Sequence, residues 1–146
     1  MFQKVHRYLE KKIPPRPPVL VEMEQRAKKE GFPIVGPLVG RLLYQLALMT
    51  KARKVLELGS GFGYSAFWFS LAMKGRGYII MTDGNRNNKQ LALDYFQRAG
   101  LKSRMDYHVG DALNIIRNQD GPFDIIFNDI DKKDYPKTID LVASRL

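Results

Sequence analysis

An α/β fold with a doubly wound parallel sheet is predicted by three observations in this 146-residue sequence. Short apolar runs suited to buried strands alternate with longer segments of helical periodicity. The run VLEL at residues 55–58 breaks into Gly59-Ser60-Gly61-Phe62-Gly63, and a nearly all-apolar stretch, YSAFWFSLAM, follows at once. Strand, glycine loop and helix in that order open a nucleotide-binding unit, because glycines let the backbone turn tightly and approach a ligand. A second apolar run, residues 78–81, ends at Asp83. An acid at the end of the second strand is placed to accept hydrogen bonds from ribose hydroxyls. The glycine spacing is G-x-G-x-G, and Tyr64 stands where the dinucleotide fingerprint needs its last glycine. An adenosine-containing cofactor other than NAD is therefore favoured.

Each element has its own justification. Residues 2–12 place Phe2, Val5 and Leu9 at helical spacing. KKIPPRPP, residues 11–18, stops that helix with four prolines and reads as a stiff connector, the alternative being a polyproline ligand for another domain. Residues 19–29 are charged and helical, and Gly31 caps them. A turn and a helix follow through residue 48, with Leu38, Leu42, Leu43 and Leu46 on one face, and Leu42, Leu43 and Leu46 are read as core. Beyond the glycine loop, strands are expected at residues 78–82, 105–109 and 123–127. Helical segments are expected at 87–99, closed by Gly100, at 113–117, and at 136–146. Residues 1–30 thus form a helical extension with a proline-rich linker, and residues 31–146 form the α/β domain.

Composition narrows the function classes. Hydrophobic residues make up 45% and charged residues 27%, as in a globular protein. No apolar run approaches the roughly 20 residues of a membrane span, so no membrane partner is expected. The absence of cysteine excludes disulfides and thiolate metal sites. The N-terminus lacks a signal peptide's continuous apolar core, and a cytoplasmic location is the default expectation. The net charge of +9 is uneven: residues 1–54 hold 12 Lys/Arg against 4 Asp/Glu, and residues 55–146 hold 12 against 11. A basic first third is an ordinary solvated surface or a surface for an acidic partner such as RNA, a CoA ester or a phosphorylated substrate. Neither His6 nor His108 is read with a partner at ligand spacing, and both are taken as structural.

VLELGSGFGYS resembles motif I of the class I S-adenosylmethionine-dependent methyltransferases. Asp83-Gly84-Asn85, Ala99-Gly100-Leu101, Gly110-Asp111-Ala112 and FNDIDKKDY at residues 127–135 narrow the resemblance. They are similar to the metal-dependent O-methyltransferases of the catechol and caffeoyl-CoA type, including bacterial members, from roughly residue 31 to the end. The resemblance implies a Rossmann-like methyltransferase fold with its first four strands present. It implies S-adenosylmethionine as cofactor, held by Val35, Glu57, Gly59, Ser60, Gly61, Ser65, Asp83, Asp111 and Ala112. Asp83 would grip the ribose, Glu57, Gly59, Ser60 and Ser65 the amino-acid end, and Asp111 and Ala112 would border the adenine.

The same resemblance assigns Asp129 to a divalent cation such as Mg²⁺ and Lys132 to the hydroxyl that is methylated. A hard cation takes oxygen ligands and orients a diol, and a nearby lysine takes or stabilises the departing proton. Asp131 and Asp134 are read as solvated loop acids. Relatives continue into a fifth strand whose Asp-Asn pair completes the metal site. This chain stops before it, and the expectation is a longer protein, or a partner that supplies the remainder. The function implied is methyl transfer to a hydroxyl of a small, catechol-like acceptor. The alternatives are O-methylation of a hydroxyuridine in tRNA, which the basic first third favours, and a non-catalytic cofactor-binding or scaffold module. A homodimer is a further expectation, relatives being commonly dimeric.

Overall fold

A computed structural model describes residues 2–101 and 104–146, with the side chains of Phe2 and Gln3 also outside the description. The expected Phe2 contribution to the first helix therefore lies outside the described residues. Three helices come first, α1 (Phe2–Glu10), α2 (Pro18–Glu30) and α3 (Gly36–Met49). The alternating part follows as β1 (Lys54–Leu58), α4 (Tyr64–Met73), β2 (Tyr78–Asp83), α5 (Arg86–Arg98), β3 (Met105–Val109), α6 (Ala112–Arg117), β4 (Ile125–Asn128) and α7 (Tyr135–Ala143). A 3-10 turn, Lys132–Asp134, precedes α7.

The four strands form one sheet in the order β3-β2-β1-β4. All pairings are parallel, with Glu57 opposite Met81 on one side and Phe127 on the other. Such a sheet is stable only when both faces are covered. Val55, Ile79, Met81, Met105 and Tyr107 pack against α2, α3, α4 and α5. The alternate residues Leu56, Leu58 and Ile80 pack on the other face with Ile116, Phe123, Leu141 and Val142. Residues of α2 join the first layer, where Leu20, Met23 and Ala27 are buried.

The fourth strand begins two residues later than the sequence suggests. Phe123 donates its N–H to the carbonyl of Arg145 at 2.7 Å, while Asp124 donates its N–H to the Lys54 carbonyl at 2.9 Å and accepts the N–H groups of Arg53 and Lys54 on its carboxylate, so the paired register opens at Ile125.

One core assignment is corrected. Leu43 is 6% exposed, but Leu42 is 52% and Leu46 42% exposed. The buried stripe of α3 is instead Gly40, Leu43 and Ala47. The cause is close helix packing: a Cβ on Gly40 would stand 2.1 Å from Trp68 Nε1, so α3 turns its smallest residues toward α4. Counting leucines alone misplaces the contact face by part of a turn. Val5 and Leu9 of α1 are likewise exposed.

The histidines also differ from expectation, because each has a carboxylate partner. His6 Nδ1 lies 3.6 Å from Glu10, and His108 Nε2 lies 3.0 Å from Asp106. Among the described residues no helix is long and apolar enough to cross a membrane.

Candidate functional site

Parallel α/β sheets bind ligands beyond the carboxyl ends of their strands. Here a cleft of about 600 Å³ opens at that place, within the usual range for small-molecule sites. Its floor is Gly59, Ser60, Gly61, Phe62, Tyr64 and Ser65, one wall is Phe32–Val35, and Asp83, Gly84 and Asp129–Asp131 complete the rim. Of the sequence-predicted residues, the fold gathers Val35, Gly59, Ser60, Gly61, Ser65, Asp83 and Asp129 around this one cleft.

The floor is shaped by backbone that only glycine adopts easily. Gly59 has φ +84°, and a Cβ there would lie 2.6 Å from the carbonyl oxygen of Asp129. Gly61 has φ +50°, and its Cβ would meet the Phe32 ring at 2.9 Å. The loop is then fastened from β2. Gly59 and Ser60 donate N–H bonds to the Thr82 carbonyl at 3.1 and 2.7 Å. The Thr82 hydroxyl donates to the Glu57 carbonyl at 3.1 Å. From β3, the Tyr107 hydroxyl donates to the Gly61 carbonyl at 2.6 Å. Burial raises the Tyr107 pKa, with Asp83 and Glu57 adding to the effect, so this hydroxyl stays a neutral donor.

Asp83 sits at the rim as expected, but its oxygens are already engaged. Oδ2 accepts from Gly61 N–H at 3.2 Å, and Oδ1 accepts from Asn85 N–H at 2.7 Å and Asn88 Nδ2 at 3.0 Å. A carboxylate offers about four acceptor positions, which leaves about one for a ligand hydroxyl. Asp83 therefore does two things at once: it pins the glycine loop and faces the cleft.

Glu57 is fully buried under the floor. Its Oε1 accepts a short hydrogen bond from the Ser65 hydroxyl, while Oε2 finds no partner among the described residues. Burial pushes its carboxyl up to about 8, with the Asp129 charge adding to the rise and Ser65, Ser60 and the Ala66 N–H opposing it. A neutral carboxyl is the form that full burial favours. Asp129, exposed overall, is also raised, by the partial burial of its carboxyl.

Three predicted residues lie away from the cleft lining. Asp111 caps α6, accepting the Asn114 N–H at 2.8 Å, and Ala112 is the first residue of that helix. Lys132 begins the 3-10 turn directly after the rim residue Asp131 and is exposed. Asp131 pairs with Lys133 and Asp134 with Lys137, in keeping with solvated loop acids. The donors present do not by themselves make a metal centre. Asp129 and Asp131 share the rim, but among the described residues no group of three or more His, Cys, Asp or Glu gathers around a common point.

Thr82, Tyr107 and Phe32 escaped sequence reading. A threonine or tyrosine inside a strand carries no motif, and its role depends on which strand lies beside the loop. The position of Phe32, just past the cap Gly31, was the only available hint.

Known proteins share this fold. Residues 16–143 match the family profile described as O-methyltransferase. A catechol O-methyltransferase of Niastella koreensis is 30% identical over 92% of this chain and 64% of its own length. Caffeoyl-CoA O-methyltransferase 1 of Eucalyptus globulus is 33% identical over 87% of this chain and 55% of its own length. This chain thus spans a little over half to under two thirds of these curated relatives. The O-methyltransferase TomG of Streptomyces achromogenes, solved in complex with S-adenosylmethionine, superposes with a TM-score of 0.87 at 27% identity. That match covers 97% of this chain and 66% of TomG.

Proposed function

This chain belongs to the O-methyltransferase family, and we infer from that and from the cleft that it binds S-adenosylmethionine for methyl transfer to a hydroxyl of a small, catechol-like acceptor. The observation that carries the reading is the cleft itself, where a loop of left-handed glycines is bonded to the acid that ends the second strand. Asp83 takes a ribose hydroxyl at its remaining acceptor position. The apolar wall of Phe32, Ile34 and Val35 faces the cofactor, and Ser60 and Ser65 lie beneath its amino-acid end. Glu57 completes that end: a cofactor ammonium placed above it draws off its proton and gives the ion a counter-charge. The assignment of Asp111 and Ala112 to the adenine border belongs to the same reading.

Transfer then needs an acceptor oxygen in line with the sulfonium methyl. The acceptor O–H bond breaks, the oxygen lone pair forms the new O–C bond, and the C–S bond breaks as neutral S-adenosylhomocysteine leaves. Lys132, next to the rim residue Asp131, is assigned to the departing proton. Positioning supplies much of the acceleration in such a reaction. Asp129 would be this chain's carboxylate for a divalent ion, which would orient an acceptor diol and favour its ionised form.

Calorimetric titration with S-adenosylhomocysteine tests the binding half. The chain should bind it, and Asp83→Ala should weaken binding about 10- to 100-fold, the worth of a charge-assisted hydrogen bond and the loop order it maintains. A folded chain that binds none of it overturns the reading.

A further inference from the structure

Two loops at the amino ends of the strands, on the pole opposite the cleft, repeat one pattern. Lys51-Ala52-Arg53 joins α3 to β1, and Lys74-Gly75-Arg76 leads from α4 toward β2. Lys51 and Lys74 have φ of 54° and 50°, and among the described residues they are the only non-glycine residues with positive φ. A left-handed residue just past a helix is ordinarily glycine, because a Cβ crowds the neighbouring carbonyl. At both places a lysine stands where glycine would relieve the backbone.

The loops lie side by side because β1 and β2 are parallel neighbours, with Lys54 opposite Tyr78. Tyr78 donates its N–H to the Arg53 carbonyl at 2.7 Å, and a Cβ on Gly77 would stand 2.9 Å from that same oxygen. A hollow of about 210 Å³ opens here, lined by Lys51, Arg53, Lys74 and Arg76 over Ala52 and Met73. All four cations are exposed, and among the described residues no carboxylate lines the hollow. Among the described residues none of the four is paired with an Asp or Glu side chain.

Helix ends do not account for this cluster. The C-termini of α3 and α4 each carry about half a negative charge, together about −1 against four positive side chains. Their last carbonyls are also occupied, since Leu46, Leu48 and Leu71 accept the backbone N–H groups of Thr50, Lys51 and Lys74. Asp124 reaches this pole, but its Oδ2 is engaged by the backbone N–H groups of Arg53 and Lys54.

We propose that the paired Lys-x-Arg loops form a binding site for adjacent phosphate groups, presented by a nucleic-acid strand or by a polyphosphate. Guanidinium groups take phosphate oxygens in pairs and ammonium groups supply point charge, so two of each suit a ligand with neighbouring phosphates. The site lies a full strand length, about 17–20 Å, from the cleft and is separate from cofactor binding.

The test titrates inorganic tripolyphosphate and a short single-stranded RNA into the 146-residue chain and into Lys51→Gly/Lys74→Gly. Glycine suits both backbone positions, so this double variant should melt no lower than the parent while losing at least tenfold in affinity. If RNA is the source, its affinity should fall about 50-fold on a fourfold rise in salt, as four neutralised phosphates of a single strand require. Tripolyphosphate binding that RNA does not surpass, lost in the glycine variant, supports the small-ligand source. Failure of both probes to bind, or full affinity in a folded glycine variant, overturns the proposal.

Discussion

Glu57→Gln probes whether the cleft floor of the free protein holds a neutral acid. The folded carboxyl titrates at about 8 against an ordinary 4.5. Below 4.5 the group is protonated in folded and unfolded chains alike, and it contributes no pH dependence. Between 4.5 and about 8 the unfolded chain has released a proton that the folded chain retains. Stability must therefore fall as pH rises across that window, at about 1.4 kcal/mol per pH unit, and the slope vanishes above it. Two pH units inside the window cost about 3 kcal/mol. Glutamine has no proton to release, and its carbonyl still accepts from Ser65, so this contribution to the pH dependence should disappear. With a urea dependence of about 2 kcal/mol per molar, the parent's unfolding midpoint should slip by about 1.4 M relative to the variant over those two units. Urea unfolding at a series of pH values reads this directly. Parallel profiles for parent and variant would refute the neutral-acid argument.

Gly59→Ala should destabilise the fold by about 2–3 kcal/mol, the cost of left-handed backbone with a Cβ plus its collision with the Asp129 carbonyl. Thermal melting measures the loss, and S-adenosylhomocysteine titration should show binding lost with it. On α3, Leu43→Ala should cost about 3 kcal/mol while Leu42→Ala costs under about 0.5, because only the first opens a cavity. Chemical denaturation of the pair decides it, and equal losses would contradict the corrected helix face. Lys132→Ala, placed in a protein of the length of the curated relatives, should leave S-adenosylhomocysteine affinity unchanged and slow methyl transfer at least tenfold. Unchanged turnover would remove Lys132 from the proposed chemistry.

How much could be read in advance follows from the range of each interaction. The strand–glycine–helix unit and Asp83 were legible because their signals are local: apolar period, glycine spacing, and an acid ending a strand. The strand order was not a local matter, and what depended on it was invisible. Thr82 anchors the loop because β2 is the neighbour of β1, and Tyr107 does so by reaching it from β3, one strand further out. Leu42 and Leu46 were misassigned because apolar character alone does not say which stripe of a helix meets its neighbour; the fit of Gly40 beneath Trp68 decided that. Asp111 shows the converse, a motif residue whose contact in the fold is a helix cap. The paired Lys-x-Arg loops were in plain sight as sequence, but only the parallel pairing of β1 with β2 sets them side by side.

The contact between Gly59 and the Asp129 carbonyl has a mechanical meaning. The glycine loop, the proposed cradle of the donor, and the loop that presents the rim acids meet backbone to backbone. They form one close-packed joint, and in the proposed reaction the gap between donor and acceptor would be set there by atomic radii. On the proposed function, acceptor preference would then change through residues beyond Asp131 without retuning the donor side, since the joint holds its dimension whatever is hung from it.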